Sequence, residues 1–405
     1  MLGVLVLVAV VSAVGVGAFA VWDTARAAAD HAVDLEGDEP LPPTIGEIEG
    51  GVNVLLVGTD SCEGANAALS GACQAGDTEG ERNDVTMLLH ISDNPRRVTV
   101  VSFPRDMLVP IPACPRADGG EYSAMSSQML NASYMYGGLA CTVKTVEALT
   151  GEDIQFAGAI RWTGVINMSD AIGGVDVCVT GDVHDPHTGL TLTAGTHTLQ
   201  GVQALQFLRM RHGVADGSDL GRISNQQQFM SSLVRKLQGE SVLSNASTLF
   251  SLATTAMKQV TEGQLLLSRS LTNPTLMVQI AMAVKDVDYA DIVFVQYPTR
   301  YIPGNGRSDV VPVRDAGDVL FAALRENKPL VLTGSTSAAA GAPEVAGEAT
   351  KPTPEASVTP TPGTTDAPAD PTDAATPPPA DAAVELPSSI TGTTAAQVTC
   401  SQPQR

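Results

Sequence analysis

The alternation of apolar and polar stretches along the chain predicts a mixed α/β domain. Short β-branched runs bounded by turn residues are typical of buried strands, and apolar positions repeated every three or four residues are typical of helices. The first pattern predicts strands at residues 52–58, 86–92, 98–103, 153–160, 175–179 and 291–298. The second pattern predicts helices at residues 131–138, 141–151, 162–171, 221–238, 242–258 and 315–325.

The chain begins with an apolar segment that stands apart from this domain. Residues 2–22 carry no charged side chain, and about 20 such residues suffice to span a bilayer. The segment lacks the basic region of a signal peptide, and its small-residue cleavage signal at residues 18–20 is weak. We therefore expect residues 1–22 to form an uncleaved transmembrane helix and residues 23–50 to form a juxtamembrane spacer.

The end of the chain has a different composition. Residues 51–330 are numerous enough to bury a sizeable core as one domain. From about residue 334 the chain consists of Ala, Pro, Thr, Asp and Glu with almost no large apolar side chain. Such a composition cannot bury enough apolar surface to fold, so we predict a disordered tail at residues 331–405.

Net charge and cysteine content restrict the setting. A formal net charge of -21 argues against a nucleic-acid partner. The six cysteines indicate an oxidising compartment, and they allow 15 pairings that sequence alone cannot separate. Cys62 and Cys73 lie in one loop and are predicted to pair. A reduced, buried thiol stays open for Cys178, which lies within a predicted strand.

The most informative segment lies at residues 204–229. Arg209 and Arg211 close a helical run, and Asp219, Arg222 and Gln226 open the next helix after a Gly/Asp-rich turn. Arginine presents a rigid, permanently charged fork that matches phosphate. A solvated helix end with ordinary Arg–Asp ion pairs is the alternative interpretation.

A second charged cluster lies at the ends of the first three predicted strands. Asp60 comes after the first strand, Arg82 and Asp84 precede the second, and Arg105 with Asp106 follows the third. Carboxylates can hold Mg²⁺, and arginines can neutralise the phosphates that the cation bridges. We predict a site for a phosphorylated ligand, although each residue alone would more simply form a cap or an ion pair.

One further sequence feature suggests chemistry only weakly. His184 and His187 occur in the segment DVHDPHTG, and two histidines so close together suggest a metal site. The Asp-Pro and Thr-Gly pairs in this segment are more typical of a turn, so we predict a turn.

Seven spaced motifs resemble those of the LytR-CpsA-Psr family of cell-wall glycopolymer transferases. The motifs span residues 50–240, and they are VNVLLVGTDS, ERNDVTMLLHIS, VSFPRDMLVPIP, MLNASYMYGG, AIGGVDVCV, ALQFLRMRHG and DGSDLGRISNQQQF. The resemblance implies an α/β/α sandwich around a central mixed, mostly parallel sheet. It implies a membrane-anchored, extracytoplasmic phosphotransferase that moves a glycopolymer phosphate from a polyprenyl-pyrophosphate donor to peptidoglycan with Mg²⁺.

The resemblance also implies roles for individual residues. The implied metal ligands are Asp60 and Asp84. The implied catalytic residues are Arg82, Asp84, Arg105, Arg209, Arg211, Asp219 and Arg222. The implied substrate-binding residues are Arg82, Arg105, Arg209, Arg211, Arg222 and Gln226. Asp84 and Asp219 are the candidates for the general base.

One position departs from the family pattern. Many members have Lys where this chain has Met129, so the site has one cation fewer. A non-catalytic protein that binds polyprenyl pyrophosphate or the cell wall therefore stays open. A pyrophosphatase that uses water as the acceptor is a third possibility. The apolar helical stretch at residues 242–287 is expected to pack in the core, and part of it is a candidate for a polyprenyl groove.

Overall fold

The computed structural model describes the predicted domain and part of the C-terminal segment. The described residues are 23, 25–35, 51–76, 80–116, 118–214, 217–239, 242–243, 245–302, 309–334, 343–351 and 382–404. The predicted anchor at residues 1–22 lies outside this set. Among the described residues, no helix combines the length and apolar character needed to cross a membrane.

Strands and helices alternate along the domain. The strands are β1 Val52–Thr59, β2 Asn83–Ile91, β3 Val98–Phe103, β4 Leu108–Ile111, β5 Cys114–Pro115, β6 Glu121–Tyr122, β7 Met125–Met129, β8 Phe156–Ile160, β9 Val175–Val179, β10 Val183–Asp185, β11 Leu190–Leu192, β12 Gly195–Leu199, β13 Leu265–Leu267, β14 Ile292–Gln296, β15 Thr299–Tyr301, β16 Val310–Pro312, β17 Leu330–Leu332, β18 Glu344–Glu348, β19 Val384–Leu386, β20 Gly392–Thr394 and β21 Gln397–Cys400. The α-helices are α1 Gly71–Ala75, α2 Ala132–Thr150, α3 Trp162–Ala171, α4 Gly201–Arg209, α5 Asp219–Gly239, α6 Ala246–Thr261, α7 Pro274–Ala283 and α8 Arg314–Arg325. Short 3-10 helices cover Gly64–Leu69, Arg269–Thr272 and Tyr289–Asp291.

The central sheet has seven strands in the order β13-β8-β1-β2-β3-β14-β20. Only β8 with β1 and β3 with β14 are parallel, and the other neighbours are antiparallel. The prediction of a mostly parallel sheet is therefore wrong. The cause is local, because β2 and β3 are joined directly by the turn at residues 92–97, and such a short connection requires antiparallel strands.

This topology gathers the charged residues of the first three strands at one end of those strands. Strand β2 runs against β1 and β3, so its start lies beside the ends of both neighbours. Asp60 follows β1, Asp84 lies at the start of β2, and Arg105 follows β3. The sheet register alone therefore brings these charged residues together.

Helices cover both faces of the sheet, as the α/β/α expectation required. One core packs Leu55 and Val101 of the sheet against Val143 of α2 and Phe321 of α8. The other core packs Val54 and Val100 of the sheet, among others, against helices α6 and α7. A third core joins β9 and β12 to helices α4 and α5, which contain or adjoin the charged residues of segment 204–229.

Most predicted elements are confirmed, with differences at their ends. Residues 131–138 and 141–151 form one merged helix, α2, which is broken by non-helical backbone at Gly137 and Gly138. Helix α3 and strand β9 have the predicted bounds. Helix α6 begins four residues later than predicted and continues to Thr261.

The prediction of a disordered tail at residues 331–405 is wrong for residues 382–404 and for residues 343–351, where β18 pairs with β21. Strand β20 extends the central sheet by pairing with β14, and Ile390 and Ala395 are fully buried. The Pro/Ala/Thr-rich run at residues 352–381, which lies outside the described residues, dominates the composition and conceals the apolar positions that follow it.

All six cysteines are paired. The disulfides are Cys62–Cys73, Cys114–Cys141 and Cys178–Cys400. The first pair confirms the prediction from their shared loop. A reduced thiol at Cys178 is wrong, because the C-terminal segment that supplies Cys400 folds back onto β9.

Candidate active site

The end of strand β1 holds a carboxylate at the centre of the site. Asp60 Oδ1 accepts a hydrogen bond from the Arg82 backbone N–H at 2.7 Å. The Asp60 N–H donates in return to the Arg82 carbonyl at 3.2 Å. Arg82 thus contributes its main chain to the site, and its guanidinium charge also weakly lowers the pKa of Asp60.

Arg105 joins the carboxylates of three chain segments. Its Nη1 lies 2.5 Å from Asp84 Oδ1, and its Nε lies 3.4 Å from Asp106 Oδ1 and 3.7 Å from Asp219 Oδ1. Burial alone would lower the pKa of Arg105, but Asp84, Asp219 and Asp106 together raise it well above its usual value. The guanidinium is therefore a permanent cation.

Arg222 of helix α5 forms a second bridge. Its Nη2 lies 2.7 Å from Asp219 Oδ1 and donates to the Asp84 carbonyl at 2.7 Å. Its Nη1 lies 3.9 Å from Asp84 Oδ2. Burial raises the pKa of Asp84, but Arg222 and Arg105 outweigh that effect and hold the pKa below its usual value. Asp84 is thus an ionised carboxylate with a cation beside each oxygen.

Asp60 is in the opposite electrostatic situation. Burial, and then the negative charge of Asp84, raise the pKa of Asp60 to about 6. The backbone hydrogen bond from Arg82 only partly offsets these effects. The ionised form of Asp60 is therefore destabilised by burial and by Asp84. A cation bound by the two carboxylates would stabilise their ionised forms.

The arginines that end helix α4 complete the charged cluster. The Arg209 guanidinium lies over the Trp162 ring, 3.9 Å from its centroid, and Nη1 donates to the Leu69 carbonyl at 3.2 Å. Burial lowers the pKa of both Arg209 and Arg211. The Asp84 carboxylate opposes this shift at Arg209, which places the two side chains in one electrostatic field.

A fully buried carboxylate holds this arginine segment. Asp185 Oδ2 accepts the backbone N–H groups of Arg211 at 3.1 Å and His212 at 3.2 Å. Its Oδ1 accepts those of His187 at 2.8 Å and Thr188 at 3.3 Å. The prediction of a turn is confirmed, because residues 186–189 form the turn that joins β10 to β11.

An apolar cavity of about 410 Å³ opens onto the charged cluster. Asp84, Arg209, Arg222 and Gln226 are its charged or amide-bearing lining residues. Most of the other lining residues are apolar, and Ala256, Leu265, Leu267, Leu271 and Met277 belong to the stretch proposed from sequence as a groove. We call this space the donor cavity.

The structure brings the predicted site residues into one region. These residues are Asp60, Arg82, Asp84, Arg105, Arg209, Arg211, Asp219, Arg222 and Gln226. Gln226 donates to the Leu208 carbonyl at 3.1 Å, which fixes helix α4 against α5. Met129 ends β7 directly before Leu130 and Asn131, whose N–H groups donate to the Met107 and Arg105 carbonyls. Met129 therefore lies next to the segment that carries Arg105.

Sequence reasoning missed several supporting residues. Arg161 forms a two-point ion pair with Glu81 at 2.7 and 3.0 Å, and Glu81 also accepts from Thr59 at 2.5 Å. Trp162 supports Arg209, and Asp185 holds Arg211. Glu81 lies within a recognised motif, so its charge was a usable signal. The other residues lie in segments whose proximity only the fold establishes.

The domain is similar to that of known proteins. The family model described as the LytR_cpsA_psr family matches residues 18–314. The chain is similar to the cell wall biosynthesis protein LcpA of Corynebacterium glutamicum, with 27% identity over 280 residues that cover 64% of this chain and 52% of LcpA. It is also similar to the polyisoprenyl-teichoic acid–peptidoglycan teichoic acid transferase TagU of Enterococcus faecalis, with 26% identity over 63% of this chain and 76% of TagU.

Solved structures share the fold. The LytR-Csp2A-Psr enzyme from Actinomyces oris aligns with a TM-score of 0.50 and 23% identity, covering 72% of this chain and 94% of that structure. A structure described as TagT bound to LIIa-WTA aligns with a TM-score of 0.50 and 20% identity, covering 73% of this chain and 98% of that structure. The chain spans about half the length of its curated corynebacterial relatives, 52% of LcpA and 49% of the probable cell wall biosynthesis protein LcpB.

Proposed function

Because the chain belongs to the LytR_cpsA_psr family, we propose that it is an extracytoplasmic phosphotransferase. It moves a glycopolymer phosphate from a polyprenyl-pyrophosphate donor to peptidoglycan. The strongest support for this proposal is an apolar cavity that ends at a cluster of arginines and carboxylates. Such a cavity suits a ligand with a hydrocarbon chain at one end and a polyanion at the other.

The donor cavity would hold the polyprenyl chain. Each Å² of apolar surface removed from water contributes about 25 cal/mol, so the long hydrocarbon supplies most of the binding free energy. Arg209 and Arg222 line the same cavity and would meet the pyrophosphate where the hydrocarbon ends. The guanidinium fork suits phosphate oxygens, and the Trp162 ring limits the positions that Arg209 can adopt.

The paired carboxylates fit a divalent cation. Asp60 and Asp84 offer the hard oxygen ligands that Mg²⁺ prefers, and Mg²⁺ typically uses one or two carboxylates together with phosphate oxygens. The raised pKa of Asp60 beside Asp84 supports this assignment, because a cation would relieve the repulsion between them. When bound, Mg²⁺ would neutralise part of the pyrophosphate charge.

The charged cluster would act by positioning and by electrostatic stabilisation. A wall hydroxyl attacks the glycan-linked phosphorus, and polyprenyl phosphate leaves. Negative charge on the phosphoryl oxygens is the main barrier. Arg105, Arg209 and Arg211 clamp the pyrophosphate, while Arg82 and Arg222 support them.

The test is release of polyprenyl phosphate from a short-chain lipid-linked disaccharide by the full chain, with Mg²⁺ and a peptidoglycan oligosaccharide. Transfer of the glycan phosphate to the oligosaccharide supports the proposal. Free glycan phosphate would instead identify a pyrophosphatase, and donor binding without turnover would identify a binding protein. Loss of activity in EDTA, restored by Mg²⁺, supports the metal assignment.

A matched pair of arginine variants sharpens this assay. Arg209→Lys keeps the charge but loses the fork, so the rate should fall about 10-fold or more. Arg116 also lies over an aromatic ring, 4.9 Å from the Tyr122 centroid, and its side chain is 45% exposed. Arg116→Lys should leave the rate unchanged. Equal rates in the two variants would count against the phosphate clamp.

We also propose that residues 1–22 anchor the chain with its domain outside the cytoplasm. The disulfides in the structure support an oxidising location. A C-terminal fusion to a phosphatase that requires export should be active, and a fusion to a cytoplasm-only reporter should be silent. A signal from the second reporter would contradict this topology.

A further inference from the structure

A second cavity, whose lining is more polar than that of the donor cavity, is formed by the same parts of the site. The second cavity has a volume of about 190 Å³, and Asp106, Arg211, Ser218, Asp219 and Tyr301 are its polar lining residues. Pro104, Gly217, Leu220 and Val310 complete its described lining. We call this space the polar cavity. Its lining is much richer in groups that bind hydroxyls than that of the donor cavity.

Three parts of the site divide their charged residues between the two cavities. On helix α5, Asp219 lines the polar cavity and Arg222 lines the donor cavity. At the end of helix α4, Arg211 lines the polar cavity and Arg209 the donor cavity. On the sheet side, Asp106 lines the polar cavity and Asp84 lines the donor cavity.

Arg105 connects the two sides. Its Nη1 contacts Asp84 at 2.5 Å, and its Nε lies near Asp106 at 3.4 Å and Asp219 at 3.7 Å. One guanidinium therefore pairs with carboxylates that line both cavities. A phosphorus atom held by Arg105 would lie at the junction of the cavities.

Asp219 has unused hydrogen-bonding capacity on the polar side. Its side chain is only 9% exposed, and Arg222 balances its charge at 2.7 Å. Neither carboxylate oxygen receives a well-aligned hydrogen bond from a described residue. A buried acceptor without a donor is costly, and a hydroxyl that enters the polar cavity would supply the donor.

We propose that the polar cavity is the acceptor subsite, which binds one sugar unit of the wall polymer and presents its hydroxyl to Asp219. This inference rests on the proposed function. In phosphoryl transfer the attacking and leaving oxygens lie roughly in line across the phosphorus. The polyprenyl phosphate leaves into the donor cavity, so the hydroxyl must arrive from the other side of Arg105.

The step balances with the residues present. The hydroxyl proton passes to the Asp219 carboxylate as the new O–P bond forms. The bond between that phosphorus and the bridging oxygen of the pyrophosphate breaks, and polyprenyl phosphate leaves with the electron pair. Asp106 provides an acceptor for another hydroxyl of the sugar. Tyr301, which is 49% exposed, offers a ring against its apolar face.

Steady-state kinetics with two varied substrates test the subsite. Tyr301→Ala and Asp106→Asn should raise the KM for a peptidoglycan oligosaccharide about 3- to 10-fold, as expected for the loss of one contact. The KM for the lipid-linked donor should change less than about twofold. Matched controls are Phe250→Ala, which removes a 39% exposed aromatic ring, and Asp118→Asn, which removes an exposed carboxylate.

Two outcomes overturn the proposal. A rise in the donor KM with no change in the acceptor KM would assign the cavity to the glycan of the donor instead. No change in either KM would show that the cavity binds neither sugar.

Asp219→Asn should lower kcat by about 100-fold while the Kd for the donor stays within twofold. A wild-type kcat in Asp219→Asn would remove the proton-acceptor role.

A binding measurement keeps this test independent of turnover. The oligosaccharide alone is titrated into wild type and into Tyr301→Ala, and saturation-transfer NMR reports contact. Weaker contact in the variant supports the subsite even if the wild type transfers nothing. Equal contact in both proteins overturns the subsite even if transfer proceeds normally.

Discussion

The two halves of the charged cluster are held in place by different means. The sheet half, Asp60, Arg82, Asp84 and Arg105, lies where β1 ends, β2 begins and β3 ends. The hydrogen-bonded ladders of the central sheet set its geometry. The loop half, residues 209–214, begins at the last residue of helix α4. It is not held between two hydrogen-bonded strands as the sheet half is.

Side chains from distant parts of the sequence hold the loop half. Asp185 accepts the N–H groups of Arg211 and His212. Gln404 Oε1 accepts the Gly213 N–H at 2.9 Å, and the Gln404 N–H donates to the Gly213 carbonyl at 2.9 Å. Ser401 Oγ lies 2.6 Å from the side-chain oxygens of Asn225 and Gln228 on helix α5.

This difference predicts where the protein is vulnerable. Many backbone hydrogen bonds hold the strands of the sheet half in register. We therefore expect that no single substitution outside the site displaces the sheet half. The loop half depends on a few side chains, so substitutions that never touch the ligand should still impair transfer. Four predictions test this contrast, and each names the half that it probes.

The largest effect is expected in the sheet half, at a residue of the site itself. Arg105→Ala should lower the rate of polyprenyl phosphate release by about 10²- to 10³-fold, the usual cost of one preorganised charge contact. Arg116→Ala, which removes a half-exposed arginine paired with Asp118, is the control and should keep the wild-type rate. A small effect of Arg105→Ala would show that the loop half alone holds the pyrophosphate.

The next effect tests the loop half from outside the site. Asp185→Ala leaves four backbone N–H groups without their acceptor. The free energy of unfolding should fall by about 3 kcal/mol, and misplacement of Arg211 should lower turnover by about 10²-fold. Chemical denaturation and the release assay measure the two quantities.

A neighbouring histidine gives the control for Asp185. His184→Ala removes an exposed side chain that contacts Thr191 in the same strand pair, and it should change neither quantity. If Asp185→Ala kept full activity in its folded state, the loop half would have to be fixed by other contacts, and the contrast between the halves would fail.

The pH dependence tests the sheet half through Asp60. Its pKa rises from 3.8 in the unfolded chain to about 6 when folded, so the folded protein binds the proton more tightly. The free energy of unfolding of the metal-free protein should therefore decrease as the pH rises from about 4 to about 6. Asp60→Asn should reduce this dependence, and the part that remains is expected from Asp106, whose pKa burial also raises. Thermal melts across that range will show the difference.

The same proton should compete with Mg²⁺. The apparent affinity for Mg²⁺ should weaken about tenfold for each pH unit below 6, because the metal requires the ionised carboxylate. Titration of Mg²⁺ at fixed donor concentration measures this. An affinity that stays constant between pH 7 and pH 5 would remove Asp60 from the metal site.

The smallest effect tests the loop half through the end of the chain. Gln404→Ala removes one hydrogen bond to Gly213, so turnover should fall about 2- to 10-fold with little change in melting temperature. Gln397→Ala is a matched control, because Gln397 also accepts a backbone N–H, at 3.0 Å from Thr394, but away from the arginines. Equal effects would mean that the C-terminal segment only stabilises the fold.

The sequence by itself determined five of the seven strands of the central sheet and most of the long helices. Buried strands such as residues 52–58 and 175–179 were predictable because period and β-branching are local properties. The sheet half was predictable for the same reason, because its residues adjoin strands with clear apolar patterns. Arg209, Arg211 and Asp219 were predictable from their clustering around one turn, and the resemblance to a family assigned their roles.

The tertiary structure decided which distant segments meet. Only the fold shows that residues 382–404 complete the sheet and pair Cys400 with Cys178, because a long Pro/Ala/Thr-rich run separates them from the domain. It also placed Trp162 beneath Arg209 and Asp185 behind Arg211. These contacts depend on packing and on the burial of polar groups across long sequence separations, and no periodic pattern along the chain encodes either.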